Sequence, residues 1–351
     1  MSQQNTLLAH GASTLPSVTV ESYNVEVKDE DGFVGDRARK AAFVELLTKW
    51  RKVTRKGADD PFGGEDIDTV ARKQVDDLLI EGTPEAASVV QSAIEEFAQE
   101  LATVFKRFQK LKAWRDTERL VVGGGFSARR VGELAIGRAA ALLKEEQPEL
   151  DMQLIRNDPD DAGLIGAVHL APPWIFKDHN AVLAVDIGGT NIRAGIVELN
   201  LKSDPSLGKA SVWRREQWRH GDQKNLDRTE AVAKLAGMLD QLLERADKHK
   251  LHLAPFVGIG CPGIIEEDGS ILRGASNLPG KWEGKNFNLP SALLEAIPKI
   301  DQHDTIVVMH NDAVVQGLIE RPFMDDVKRW GVLTIGTGFG NAQFCNRRQE
   351  D

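Results

Sequence analysis

The chain has 351 residues, 41% hydrophobic and 28% charged, with a formal net charge of -9. This length can bury a full core and is read as two domains or lobes. The negative balance excludes a general nucleic-acid or acidic-membrane surface, because phosphate backbones demand clustered Lys and Arg, so a bound phosphate needs a local site. Two cysteines, Cys261 and Cys345, are too few for a disulfide framework or a Cys-rich zinc site, which predicts a reducing, cytoplasmic setting and no structural zinc. No run approaches ~18 apolar residues, so no membrane partner is expected. The opening "MSQQNTLLAHGASTLPS" has neither the basic start nor the apolar run of an export signal.

In chain order, residues 1 to 16 are polar and small and read as a loose arm. "SVTVESYNVEV" alternates Val18 and Val20, with Val25 and Val27 further on, as a half-buried strand does. From Phe33 to Trp50 the pattern is helical; "RKGADDPFGGED" is a loop, and residues 66 to 80 a short helix. "GTPEA" opens the next helix, with Thr83 as N-cap and Pro84 in the first turn. In it Val90, Ile94, Phe97, Leu101, Val104 and Phe108 recur at spacings of four and three, which places them on one buried face. "RLVVGGGFSARR", a helix through Leu143, the stretch "MQLIR" and the small-residue helix "DDAGLIGAVHLA" follow, and Pro172 and Pro173 end that series. The second half reads as the strand "AVLAVDI", a polar segment with two Trp, a helix near 229 to 248, the strand "FVGIGCPG" and a Gly-rich loop. A helix, the strand "TIVVMHND", another helix and a final hairpin complete it. Alternation of this kind indicates an α/β layered sheet.

Three glycine turns stand at strand ends. "DIGGT" carries Asp186, Gly188, Gly189 and Thr190, followed by Asn191; "IGTGFG" carries Gly336, Thr337 and Gly338; "VVGGGFS" carries Gly123, Gly124 and Gly125. Glycines let backbone amides approach a phosphate closely, hydroxyls add contacts, and a Gly triplet lets an adenine ring lie on bare backbone. A single such turn is commonly structural; the set of three points to a nucleotide. Asp186, at a strand end, is placed to hold a cation's water shell.

This set resembles the sugar kinase, actin and heat-shock chaperone superfamily. With "GIGCPGIIEEDGSIL", "SNLPGKW" and "HNDA" after "DIGGTNIRAGIV", the chain resembles the ROK family of bacterial sugar kinases and sugar-responsive repressors over most of residues 65 to 346. The resemblance implies a two-lobed ribonuclease-H-like (actin-like ATPase) α/β fold. It also implies transfer of the γ-phosphoryl of ATP, with Mg2+, to a hexose or related sugar in a glucokinase-like reaction. It places the general base at Asp312, sugar contacts at Asn311 and Asn277, and the nucleotide's magnesium near Asp186. In the family "DIGGT" comes first and the "GGG" turn last; here the order is reversed, the pattern of a circular permutation joined through residues 174 to 180. Residues 1–158 plus 313–351 then form a large lobe with the adenosine and second phosphate sites, and 159–312 a small lobe with the first phosphate site and sugar loop. The lobes are expected to close on the ligands, and "SVTVESYNVEV" to lie beside the C-terminal hairpin. A pair of chains with swapped halves is the rival explanation, and a homodimer stays open.

The chain departs from the family at four points. His310 stands where an acidic residue is usual, Val314 where Asn is frequent, and the last hairpin reads "GFGNAQF" with fewer glycines. The family's His- and Cys-rich zinc segment, which brings a Glu and a His to the sugar, is missing; in permuted order only His10 offers a replacement, and an exposed His in a loose arm is expected there. An Asn-Asp pair at a strand end also serves commonly as a helix N-cap. A catalytically impaired kinase homologue and a sugar-sensing regulator therefore remain alternatives, and polyphosphate stands beside ATP as donor. No basic recognition helix precedes "VVGGGFS", and a sugar, not nucleic acid, is the expected partner.

Overall fold

A computed structural model describes residues 8–56, 59–223 and 226–347. In chain order its main elements are β1 (Val18–Tyr23), α1 (Lys40–Thr54), α2 (Val75–Ile80), α3 (Pro84–Phe108), β2 (Arg119–Gly123), α4 (Arg130–Glu146), β3 (Asp151–Leu154) and α5 (Pro159–Ala167). There follow β4 (Ala181–Ile187), β5 (Ile192–Glu198), β6 (Ser211–Trp218), α6 (Arg228–Lys248), β7 (Leu253–Cys261) and α7 (Leu289–Ala296). The last are β8 (Ile306–Asn311), α8 (Asp312–Leu318), β9 (Arg329–Ile335) and β10 (Phe339–Asn346). They form two compact units. One takes the chain up to Asn24, then Asp160–Lys328 and the stretch from Asn341; the other takes Val25–Pro159 and Arg329–Gly340. Among the described residues no helix is long and apolar enough to cross a membrane.

The unit built on Val25–Pro159 is organised by α3. Thr83 Oγ1 accepts from Ala86 N at 3.2 Å, and Pro84 follows at the first helical position, where its missing N–H costs nothing. The predicted stripe from Val90 to Phe108 is buried throughout. Phe97 meets the rings of Phe43 of α1 and Phe126 at 5.7 and 4.8 Å. Loss of one such ring costs about 3–5 kcal/mol. Helix α4 has no cap from its own preceding residue; the Asp76 carboxylate of α2 accepts from Val131 N at 3.0 Å instead and pins the helix start. Strands β9, β2 and β3 run parallel, with Leu333 beside Val122 and Val122 beside Leu154.

In the other unit a five-stranded sheet has the order β8-β7-β4-β5-β6. Strands β8, β7 and β4 are parallel, and β5 and β6 are antiparallel additions. Register puts Asn311 beside Cys261, and Asp186 beside Gly260, so three strands end in one row. Strand β6 occupies what the sequence presents as a polar segment. It is an edge strand, whose residues before the buried Trp218 are exposed or half-buried on both faces and so leave no apolar alternation.

Residues 8–16 are not the loose arm that their composition predicts; residues 1–7 lie outside the described part. Leu15 is buried, Gly11 N donates to Met309 O at 3.0 Å, and Val20 N donates to Ser13 O at 2.7 Å. The segment covers the free edge of β8, where unpaired strand groups would otherwise face water. Gly11 permits this because its φ is +55° and a Cβ there would stand 2.1 Å from Ile265 O. Strand β1 pairs antiparallel with β10, Val20 beside Phe344, as expected for the segment next to the last hairpin. It ends at Tyr23 because Asn24 turns the chain with φ 49°, which leaves Val25 and Val27 outside the strand.

Candidate active site

Asp186 closes β4 and is 2% exposed. Its Oδ2 accepts from Arg193 Nη1 at 3.2 Å, and Arg193 Nη2 also donates to Asp160 at 2.5 Å. Its Oδ1 is buried and has no protein partner. Burial raises its pKa against the lowering effect of Arg193. Helix α5 makes room for the carboxylate, for a Cβ on Gly163 would lie 2.4 Å from Asp186 Cγ. An orphaned oxygen on a buried carboxylate fits a magnesium ion that arrives with phosphates, since Mg2+ needs only one or two carboxylates beside them. Among the described residues no group of three or more His, Cys, Asp and Glu could hold a metal on its own.

Asp312 is the first residue of α8, and the helix is capped by its neighbour. Asn311 Oδ1 accepts from Ala313 N at 3.0 Å and Val314 N at 3.4 Å, while its Nδ2 donates to Gly263 O at 2.9 Å. The N-cap that the Asn-Asp pair predicts is thus Asn311, which leaves Asp312 free of that duty. The Asn311 side chain also bonds the Asp312 carboxyl, which works against that carboxyl's rise. The Asp312 carboxyl is pushed up to about 7, first by burial and then by the charge of Asp186, against a bond from Ala313 N to Oδ1 at 2.9 Å. A buried carboxyl raised by burial and by a neighbouring carboxylate is a mark of a reactive site. Cys261 lies within their field, and burial together with both charges raises its thiol, so it stays neutral.

Two histidines stand behind this pair. His310 is fully buried; its Nδ1 accepts from Asn311 N at 2.7 Å and its Nε2 lies 3.2 Å from Ala12 O. Burial brings it down to about 4, so it is neutral and can make both bonds at once. His10, expected to be exposed, is half-buried, and its Nδ1 accepts from Met309 N at 3.1 Å. Burial lowers its pKa. The order of the chain hid this, because His10 and Met309 stand at opposite ends of the sequence.

The turn between β4 and β5 closes through Gly188 N donating to Asn191 O at 2.8 Å, which leaves Gly189 and Thr190 at its tip. Asn277 faces that tip: a Cβ on Gly189 would come within 3.8 Å of its Nδ2. Asp186, the Gly188–Asn191 turn, Asn277, Asn311 and Asp312 thus belong to one unit. The other unit brings together the remaining two glycine turns. Gly124, with φ +87°, packs where a Cβ would meet Ile335 O at 2.6 Å, and Phe126 N donates to the same carbonyl at 3.0 Å. Gly125 and Gly338 face open space. Gly123–Gly125 and Gly336–Gly338 are therefore neighbours across β2 and β9. Arg193, His220 and Gly163 were missed as site residues; only Arg193, a charge inside the apolar strand "IRAGIV", carries a signal a reader of the sequence could have used.

No protein-family model matches the chain, and no curated protein matches it. Solved structures do. A Cytophaga hutchinsonii protein described as a sugar kinase is 20% identical over 47% of this chain and 48% of its own, with a TM-score of 0.36. A Listeria monocytogenes protein described as an N-acetylmannosamine kinase is 23% identical over 47% of each chain, with a TM-score of 0.34. A ROK-family transcriptional regulator, a homologue of the E. coli MLC protein, is 18% identical over 48% of this chain and 37% of its own, with a TM-score of 0.37. The chain spans about half, or less, of the length of each of these proteins.

Proposed function

We propose that this chain is a kinase that transfers the γ-phosphoryl of ATP to a sugar hydroxyl, with Asp312 as general base. The observation that carries the proposal is the Asp312–Asp186 pair, in which a carboxyl pushed up to about 7 is half in its basic form at neutral pH. Asp312 takes the hydroxyl proton as the sugar oxygen bonds to the γ-phosphorus and the bond from phosphorus to the β–γ bridging oxygen breaks. Asn311 and Asn277 orient the sugar. The Gly188–Asn191 turn offers amides to the phosphates; for Gly336–Gly338 and Gly123–Gly125, in the other unit, the phosphate and adenine roles are those that the resemblance implies. Bound magnesium neutralises phosphate charge, and Asp186 Oδ1 is the atom that would hold it. The order of the motifs along the chain supports a circular permutation of the ROK pattern.

The test is ATP and polyphosphate turnover with and without a panel of hexoses, amino sugars and their acetylated forms. Sugar-dependent ADP release, lost in Asp312→Asn, is the expected result. Sugar binding without turnover from either donor would instead make the chain a sensor or an impaired homologue.

A further inference from the structure

The two outer carbonyls of the Gly188–Thr190 tip are held from one side by one short segment. His220 Nε2 lies 2.8 Å from Gly188 O, and Gly221 N donates to Thr190 O at 3.0 Å. A carbonyl only accepts, so His220 Nε2 carries the hydrogen. The segment arrives there because β6 pairs along the whole of β5, Trp218 beside Ile192, and the chain then runs on past the turn. His220 is 2% exposed, its ring edge-on to Trp218 at 5.9 Å, with Lys234 Nζ 4.6 Å from that indole's centre. Gly221 packs tightly there, for a Cβ would stand 3.0 Å from Thr190 Cγ2 and 3.4 Å from Thr190 O.

In a planar trans peptide the N–H points away from the C=O. A bond to Gly188 O therefore aims the Gly189 N–H away from His220, and a bond to Thr190 O does the same for Asn191 N–H. We propose that His220 is a positioning residue for phosphate binding, which with Gly221 N presets the amides of Gly189 and Asn191 toward the nucleotide's phosphates. This rests on the kinase proposal above and adds to it the part that orders the turn before the nucleotide arrives. Preset donors cost no ordering when the ligand binds, so their loss is felt as affinity.

The experiment titrates the full chain with magnesium and the non-hydrolysable analogue AMP-PNP, and separately with adenosine, for wild type, His220→Leu, His220→Gln and Gly221→Ala. Leu keeps the buried volume without the donor, whereas Gln carries an amide Nε2–H. His220→Leu is expected to weaken AMP-PNP binding about tenfold, the range of one lost hydrogen bond, with adenosine affinity unchanged and His220→Gln within about threefold of wild type. Gly221→Ala is expected to show the same selective loss, and it decides the matter if His220→Leu does not fold. AMP-PNP affinity equal to wild type in a folded His220→Leu, or equal losses for both ligands, would overturn the inference alone. A wild-type chain that binds neither ligand would overturn the kinase proposal and this inference with it.

Discussion

Asp312 and Asn311 divide two duties that the sequence allows either to hold. Asn311 caps α8, so Asp312→Asn removes proton acceptance without removing the cap. Phosphoryl transfer is expected to fall by about 100-fold or more, with AMP-PNP affinity little changed, as is typical of a lost general base. The same substitution has a signature in stability. A carboxyl at about 7 in the folded chain, against 3.8 as its ordinary value, keeps its proton longer folded than unfolded. Wild-type stability is therefore lost as pH rises through that window, and Asp312→Asn should be more stable than wild type above pH 7, by on the order of 4 kcal/mol, and equally stable below pH 4. Melting curves at pH 4, 6 and 8 check this; a variant that melts lower at pH 8 would contradict it. The strand-end positions of Asp186 and Asp312 were legible, the first from the glycines that follow it and the second from the apolar strand and "HNDA" motif around it. His220 was not, since its partner is a backbone carbonyl 32 positions away and carbonyls carry no sequence signal.

At the scale of elements, α5 shows why glycine matters beside the carboxylates. Gly163→Ala would drive a methyl into Asp186, and Gly166 lies as tightly against Val315 O, so the helix cannot slide to relieve it. The expected outcome is a folded protein, destabilised by about 1–3 kcal/mol, whose activity falls far more than its stability accounts for. Gly11→Ala acts on the strap over β8. With φ +55° and Ile265 O at 2.1 Å it should cost about 2 kcal/mol or more in a denaturant titration. A variant as stable as wild type would mean that the strap does not need this close approach. Elements with one wet and one dry face, such as α3, could be read from spacing alone. Strand β6 could not, because an edge strand presents neither face fully to the core, and the strap could not, because its partner β8 lies near the other end of the chain.

For the whole molecule, the proposed permutation predicts that a second permutation is tolerated. Joining residue 351 to residue 1 by a flexible linker and opening the chain between Pro173 and Val182 should give a folded monomer with the parent's nucleotide affinity, since new termini in a connecting segment disturb little packing. Aggregation of every such chain from a parent that is an obligate dimer by light scattering would favour swapped halves. The pairing of β1 with β10 also sets a timetable for synthesis. Val20 meets Phe344 only after more than 300 intervening residues have been made. Neither unit is a continuous stretch of chain, because one waits for Arg329–Gly340 and the other for the residues beyond Asn341. A ribosome that adds residues in order can therefore release no finished half early. The nascent chain must carry the unpaired edge of β1 until β10 has been made, and such long-range closure is slow and exposed to aggregation. Greater dependence on chaperones during synthesis than that of the re-permuted chain is the outcome expected from where this strand finds its partner.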